Sequence, residues 1–349
     1  MGATRCPANR MSRAETLTPK QMTQNHAIRI HQHGGPEQLL YETVEVGRPG
    51  PGEARVRHTA IGVNFTDIHH RTGRYPVPQL PHVLGMEAAG AIEELGSDTD
   101  AGLAVGDRVA YSADRPRSYA QATVMPTGRL VKLPDFISDE TGAALILKGL
   151  TAQYLIRSSF EVRAGQTILI HAVAGGVGLI MCQWAKALGA RVIGTISSDE
   201  KAALARQHGC EHTIVSTRED VVTRVREITS GAMLPVVYDG VGAATFESSL
   251  QCLHRRGLVV SYGSASGVVP PLDLFRLNRM GSLYVTSAGL ADYTSTRAEL
   301  LERTQDLFNV VASGAVRIEI KQRYPLAEAA RAHRDLEARK TSGSSILIP

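Results

Sequence analysis

At 349 residues the chain is longer than one hydrophobic core serves well, so two domains are expected. Apolar residues make up 43% and charged residues 21%, and no apolar run approaches the roughly 18 residues that cross a bilayer, which excludes a membrane span. The net charge of +4 and pI near 8.9 come from Lys and Arg scattered among nearly as many acids, so nucleic-acid binding finds little support.

In chain order, residues 1–22 are polar, lack the apolar stretch of a secretory signal and are expected to form a disordered extension. Their Arg content and shortage of acids also fit a transit peptide, and Met11 and Met22 are alternative starts. From Ala27 to about Leu133 short β segments are punctuated by Gly and Pro: AIRIHQHGGP, ARVRHTAIGV, MEAAGAIEELG, DRVAYS, YAQATV and RLVKLP. This predicts a β-rich, rolled sheet. From about Thr141 apolar strands alternate with helices: QTILIHAV, GVGLIMCQWAKALG, ARVIGTI, SDEKAALARQHG, HTIVS, a helix over Asp220 to Thr229, PVVYDG, a helix over Ala243 to Leu253, GLVVSYG and SLYVTSAG. That rhythm means parallel βαβ units and a doubly wound α/β sheet of the Rossmann kind. A helix over Arg297 to Ala312, the strand RIEIKQRYP, the helix LAEAARAHRDLEARK and the strand SSILIP then return to mixed structure, able to close onto the first domain. The expected division is 23–145 with 291–349 in the β-rich domain and 146–290 in the dinucleotide domain.

The four cysteines, Cys6, Cys182, Cys210 and Cys252, stand far apart, with no metal-ligand spacing. They read as reduced thiols of a cytoplasmic protein, Cys182 as a core residue of its helix.

The most informative motif is Ala172-Val173-Ala174-Gly175-Gly176-Val177-Gly178, which follows a strand and opens a helix. Glycines there permit a tight reversal, approach of backbone to a pyrophosphate and close helix packing, and the helix N-terminus attracts negative charge. Val173 replaces the first glycine of the usual GxGxxG, so an ordinary tight turn remains the alternative; the surrounding βαβ rhythm favours dinucleotide binding. The next strand ends in Gly194-Thr195-Ile196-Ser197-Ser198, without the carboxylate that commonly holds the ribose of NAD. Ser197 and Ser198 can donate to a 2′-phosphate and Lys201 can add charge, which points to NADPH. Asp199 and Glu200 oppose this reading unless they serve the helix dipole, and Lys201 read alone is a solvated helix lysine.

With this turn, AIGVNFTDIHHRTG, GMEAAG, GDRV and the closing GSSILIP, the chain resembles the quinone oxidoreductase, or zeta-crystallin-like, family of zinc-free medium-chain dehydrogenase/reductases from about Ala27 to Pro349. The resemblance implies a β-rich GroES-like catalytic domain beside the Rossmann domain, a homodimer, and hydride transfer from NADPH to a quinone. Zinc-dependent relatives carry a cysteine and a histidine ligand where this chain has Asn64 and Met86, and the adjacent His69 and His70 do not by themselves aim at one ion, so no metal is expected. The resemblance places Asn64 by the nicotinamide ribose or substrate, Thr151 and Tyr154 near the nicotinamide or its ribose, and Arg339 near the adenosine phosphate. It also places Gly240 and Tyr262-Gly263-Ser264, at strand ends, along the cofactor; topology independently supports the latter three. On spacing alone Asn64 is a turn residue, Thr151 a helix residue and Arg339 a solvated one.

Two departures stand out. Many relatives have a tyrosine close to the 2′-phosphate where this chain has Ser216, and often a tyrosine where it has His69. Tyr75 remains as a nearby aromatic, or as a loop anchor. His69 and Tyr75 join Asn64 as candidate catalytic residues. Enone reduction with the same cofactor is the alternative activity, and nucleotide or RNA binding of the crystallin type is the alternative of another class. The apolar segment Ser282 to Ser287 is expected at the edge of the cofactor sheet, where two copies would pair.

Overall fold

The structure, a computed structural model, describes residues 23–99 and 102–349; the expected extension 1–22, with Cys6, lies outside them. Side chains of the strand Glu53–Val63 alternate between half-buried and buried at its start and are buried without interruption from Ala60 to Val63. The change in pattern marks where the sheet is covered on both faces. Val56, Ile61, Val63, Ala88, Val109 and Tyr111 fill one core, and Ala60, Ala89 and Ala110 face the other way onto Ala143 and Ala144 of the helix Asp139–Tyr154. Small residues on that outer face let the helix lie close to the sheet. Ser138 starts the helix by accepting the N–H of Thr141 at 3.2 Å, with Asp139 and Glu140 in the first turn, where acids complement the helix dipole.

This GroES-like unit is a sheet in the order Ile320–Pro325, Ser344–Ile348, Glu53–Val63, Glu87–Leu95, Arg108–Ser112, Val131–Lys132, with Ala122–Pro126 also paired to Glu53–Val63. A three-stranded sheet, Leu40–Val46, Thr23–Ile30 and His82–Val83, stands beside it. Two C-terminal strands therefore complete a sheet begun some 260 residues earlier, and the chain returns as the sequence suggests.

The second unit is an all-parallel six-stranded sheet in the order His212–Val215, Arg191–Ile196, Thr167–Ile170, Leu234–Asp239, Leu253–Ser261, Tyr284–Ser287. Numbered along the chain, this is the 3-2-1-4-5-6 order of a Rossmann fold, with its switch point between Thr167–Ile170 and Leu234–Asp239. Tyr284–Ser287 is the edge strand, where the sequence places it. The helix expected over Ala243 to Leu253 shortens to Phe246–Gln251. The cause is Asp239, fully buried, whose carboxylate accepts the N–H groups of Val241 and Gly242 and the Thr245 hydroxyl and so holds the intervening loop.

Candidate active site

The glycine turn is shaped as its sequence requires. Gly175 caps the helix Gly176–Ala187, whose first N–H groups face the strand ends without intrahelical partners. A Cβ on Gly178 would lie 2.6 Å from the Val173 carbonyl oxygen, so only glycine lets the helix approach the turn this closely. Val173 is accommodated because the neighbouring strand carries Gly194, where a Cβ would lie 2.3 Å from Val173 Cγ1. The missing first glycine of the motif is thus compensated one strand away, and the cradle remains open to a pyrophosphate.

Asn64 ends the strand Glu53–Val63 and caps the helix Phe65–Arg71. Its backbone N–H donates to Asp67 Oδ2 at 2.8 Å and its side-chain amide nitrogen donates to Glu87 Oε1 at 2.8 Å. Glu87 has no exposed surface; it accepts the Leu147 N–H on Oε2 at 2.8 Å and the Lys148 ammonium on Oε1. Gly62 makes room for that carboxylate, since a Cβ there would lie 2.2 Å from Oε1. The stem of Lys148 crosses Gly176, which ties the glycine turn to the same pair. Asn64 therefore enters the site with its orientation already set.

A second buried chain supports Asp67. Tyr119 donates to Asp67 Oδ2 at 2.9 Å, and its oxygen lies 3.0 Å from His333 Nε2. Arg71 reaches His333 Nδ1 at 3.1 Å and Glu337 at 2.6 Å. Because a guanidinium only donates, His333 Nδ1 accepts and Nε2 carries the proton toward Tyr119. Burial, reinforced by Arg71, lowers the His333 pKa to about 3, and burial raises that of Asp67 to about 7.

After the strand Arg191–Ile196, Ser198 caps the helix Asp199–Gln207 and Lys201 donates from Nζ to the Arg339 carbonyl at 2.8 Å. Burial lowers the Lys201 pKa; Glu200 opposes and Arg339 adds to the effect. Asp199 is held by Arg218 through two bonds of 2.6 and 2.8 Å, so the acid that opposed NADPH is neutralised by a neighbouring cation. The Ser216 hydroxyl donates to the Ile196 carbonyl at 3.2 Å, on the same rim. Ser197, Ser198, Lys201 and Ser216 follow neighbouring strands of the sheet and Lys201 is bonded to Arg339; the Ser216 hydroxyl hydrogen is committed to Ile196, whereas Ser198, which accepts the Lys201 N–H, keeps its own for a 2′-phosphate.

A cleft of about 550 Å³ is lined by both units, with Arg74 and Tyr75 on one side and Tyr262, Gly263 and Ser264 on the other. His69 packs edge-on against Tyr75 at 4.9 Å between ring centroids and reaches Ser264 Oγ at 3.5 Å. Burial, then the charge of Arg74, lowers the His69 pKa to about 4, so at neutral pH the ring is uncharged. Gly240 lies against Tyr262 at the end of its strand. Thr151 donates to the Leu147 carbonyl at 2.8 Å, and Tyr154 is buried, stacked on Tyr293 at 4.3 Å and bonded at 3.2 Å to the carbonyl of the cleft-lining Ala288. Their hydroxyl hydrogens are committed within the protein. Reasoning from sequence missed Glu87, Lys148, Arg74 and Asp239. Glu87 stands inside the quoted GMEAAG; the others carry no local signal.

Two family models match, "Alcohol dehydrogenase GroES-like domain" over residues 50–159 and "Zinc-binding dehydrogenase" over 176–306. The second description names zinc, whereas Asn64 and Met86 stand where the resemblance to zinc-dependent relatives puts two of the ligands. The quinone oxidoreductase of Pseudomonas aeruginosa is 52% identical over 322 residues, 92% of this chain and 99% of that protein. The structure of Escherichia coli quinone oxidoreductase complexed with NADPH superposes with a TM-score of 0.91 at 46% identity, covering 93% of this chain and all (100%) of that one. The 2-haloacrylate reductase of a Burkholderia species is 45% identical over 327 residues, 92% of this chain and 98% of that protein. With its two units, its glycine turn and these relatives, the chain belongs to the quinone oxidoreductase family of the zinc-free medium-chain dehydrogenase/reductases.

Proposed function

We propose that this protein reduces a quinone in the cleft between its two units at the expense of NADPH. The observation that carries this reading is convergence: the glycine cradle, the Lys201–Arg339 rim and the His69–Tyr75–Ser264 wall all open onto the strand ends of one sheet. NADPH supplies the hydride when bound. The chain supplies position: Ser197, Ser198, Lys201 and Arg339 hold the 2′-phosphate, and the helix N-terminus after Gly175 faces the pyrophosphate. Asn64, fixed by Glu87, steadies the nicotinamide ribose or donates to a quinone oxygen. Tyr262, Gly263 and Ser264 form the floor, and Tyr75 and His69 shape the acceptor pocket. An uncharged His69 is a weak acid, so the proton that completes the hydroquinone comes from Tyr75 or from water.

Consumption of NADPH with 1,4-benzoquinone, 9,10-phenanthrenequinone and a simple enone, side by side, tests the reading. Quinone turnover is expected; fast enone reduction with inert quinones would instead favour the enone-reductase alternative, which the similarity to 2-haloacrylate reductase brings forward.

The units 23–145 with 291–349 and 146–290 are the proposed catalytic and cofactor domains. A homodimer through the open edge Tyr284–Ser287 is part of the same proposal, supported by the exposure of Tyr284 and of Leu274 and Phe275 just before it. Light scattering should give twice the 37.5 kDa chain mass, and a monomer would overturn it. Among the described residues no helix is long and apolar enough to cross a membrane, and the buried free thiols Cys182, Cys210 and Cys252 fit the cytoplasm.

A further inference from the structure

Two arginines three residues apart have opposite fates. Arg71 is buried and bonded to Gly34, His333 and Glu337. After Gly73, whose φ of +79° turns the chain, Arg74 lines the cleft instead. One of its nitrogens donates to the Ser264 carbonyl across the two units at 2.9 Å. No carboxylate among the described residues forms an ion pair with it, which leaves most of its five donors free of protein partners. It is the one cation among the cleft-lining residues, beside the aromatic rings of Tyr75 and Tyr262 and the apolar Val268, Val269 and Leu272. Its charge already acts inside the cleft, where it disfavours protonation of His69. The one lining carboxylate, Asp292, is too far for a bridge.

A planar guanidinium, half-buried and unpaired, beside an aromatic and aliphatic wall, is suited to a flat apolar ligand that carries a carboxylate or sulfonate. A cleft of about 550 Å³ accommodates a bicyclic acceptor. We propose that Arg74 is a specificity-determining residue that selects electron acceptors bearing an anionic substituent, holding that substituent by a charge-assisted pair while the ring lies toward the hydride donor. The proposal rests on the quinone-reductase reading above.

The test compares 1,4-naphthoquinone with 1,4-naphthoquinone-2-sulfonate as acceptors for NADPH, in the wild type and in Arg74→Lys, Arg74→Gln and Arg74→Leu. The quantity read is the ratio of kcat/KM for the sulfonate to that for the parent; comparing it across variants removes the intrinsic difference in reactivity of the two quinones. The ratio should fall at least about tenfold in Arg74→Gln and Arg74→Leu, chiefly through KM of the sulfonate, and be largely kept in Arg74→Lys. In the wild type it should fall with added salt. Arg74→Gln can still donate to Ser264, so it separates loss of charge from loss of the interdomain bond. A ratio unchanged across the variants, or an equal fall for both quinones, would overturn the role of Arg74 and leave the quinone reading standing. Failure of the wild type to reduce either quinone would overturn the quinone reading and this proposal with it.

Discussion

Glu87 has no exposed surface and is surrounded by an ammonium, an amide and a backbone N–H, all in place before any ligand arrives. At the start of the helix Asp199–Gln207, the side chain of Asp199 is 72% exposed and bound to an Arg218 that is itself 57% exposed. Both are acid–base pairs within one cofactor site, yet they act differently. A buried pair fixes geometry, because leaving either partner alone in a low dielectric is expensive. An exposed pair adds little stability and instead sets the sign of the local potential that a phosphate meets. The proposed site thus divides its labour: orientation of Asn64 is built into the core, and choice of cofactor is assigned to exposed charges at the rim.

The comparison is broken most forcefully at Lys148. Replacing it with Met strands the Glu87 carboxylate, and a loss of roughly 3–5 kcal/mol in unfolding free energy is expected by urea denaturation. The double variant Lys148→Met/Glu87→Gln should recover much of that loss, since no uncompensated charge remains. A single variant as stable as the wild type would show that the pair does not organise this end. At the rim the effect is smaller. Arg218→Ala should weaken NADPH by no more than about fivefold, with unfolding unchanged. Adding Asp199→Asn should restore affinity, because the acid that Arg218 neutralises is gone. An Arg218→Ala variant that unfolds as readily as Lys148→Met would erase the distinction between the two ends.

How much of this was readable in advance follows the same division. The glycine turn and the doubly wound parallel sheet were legible because strand, turn and helix occur in sequence, each with its own period. The helix Arg297–Ala312 falls on its expected residues because Thr296 and Glu299 form a capping box at its start. The helix Phe65–Arg71 was hidden inside a β-rich stretch. Seven residues reading FTDIHHR have no apolar period, and it is long-range burial of Asp67 and Arg71 that fixes them. Lys201 and Ser198 follow a strand end and Arg339 comes from the resemblance, and the structure bonds Lys201 to both Ser198 and Arg339. Glu87 and Lys148 are 61 residues apart in segments of different type, and nothing local announces that they meet. The bond from the Tyr154 hydroxyl to the Ala288 carbonyl, 134 residues away, likewise has no local signal.

The central claim, that the Ser198 hydroxyl and the cations Lys201 and Arg339 make this an NADPH site feeding the acceptor cleft, is tested most directly by titrating NADPH and NADH, through cofactor fluorescence, into the wild type and Lys201→Ala. Loss of one charge-assisted contact is worth roughly 1.5–3 kcal/mol. NADPH should therefore bind the wild type about ten- to a hundredfold more tightly than NADH, with most of that margin lost in Lys201→Ala while NADH is hardly affected. Equal dissociation constants for the two cofactors in the wild type would contradict the account.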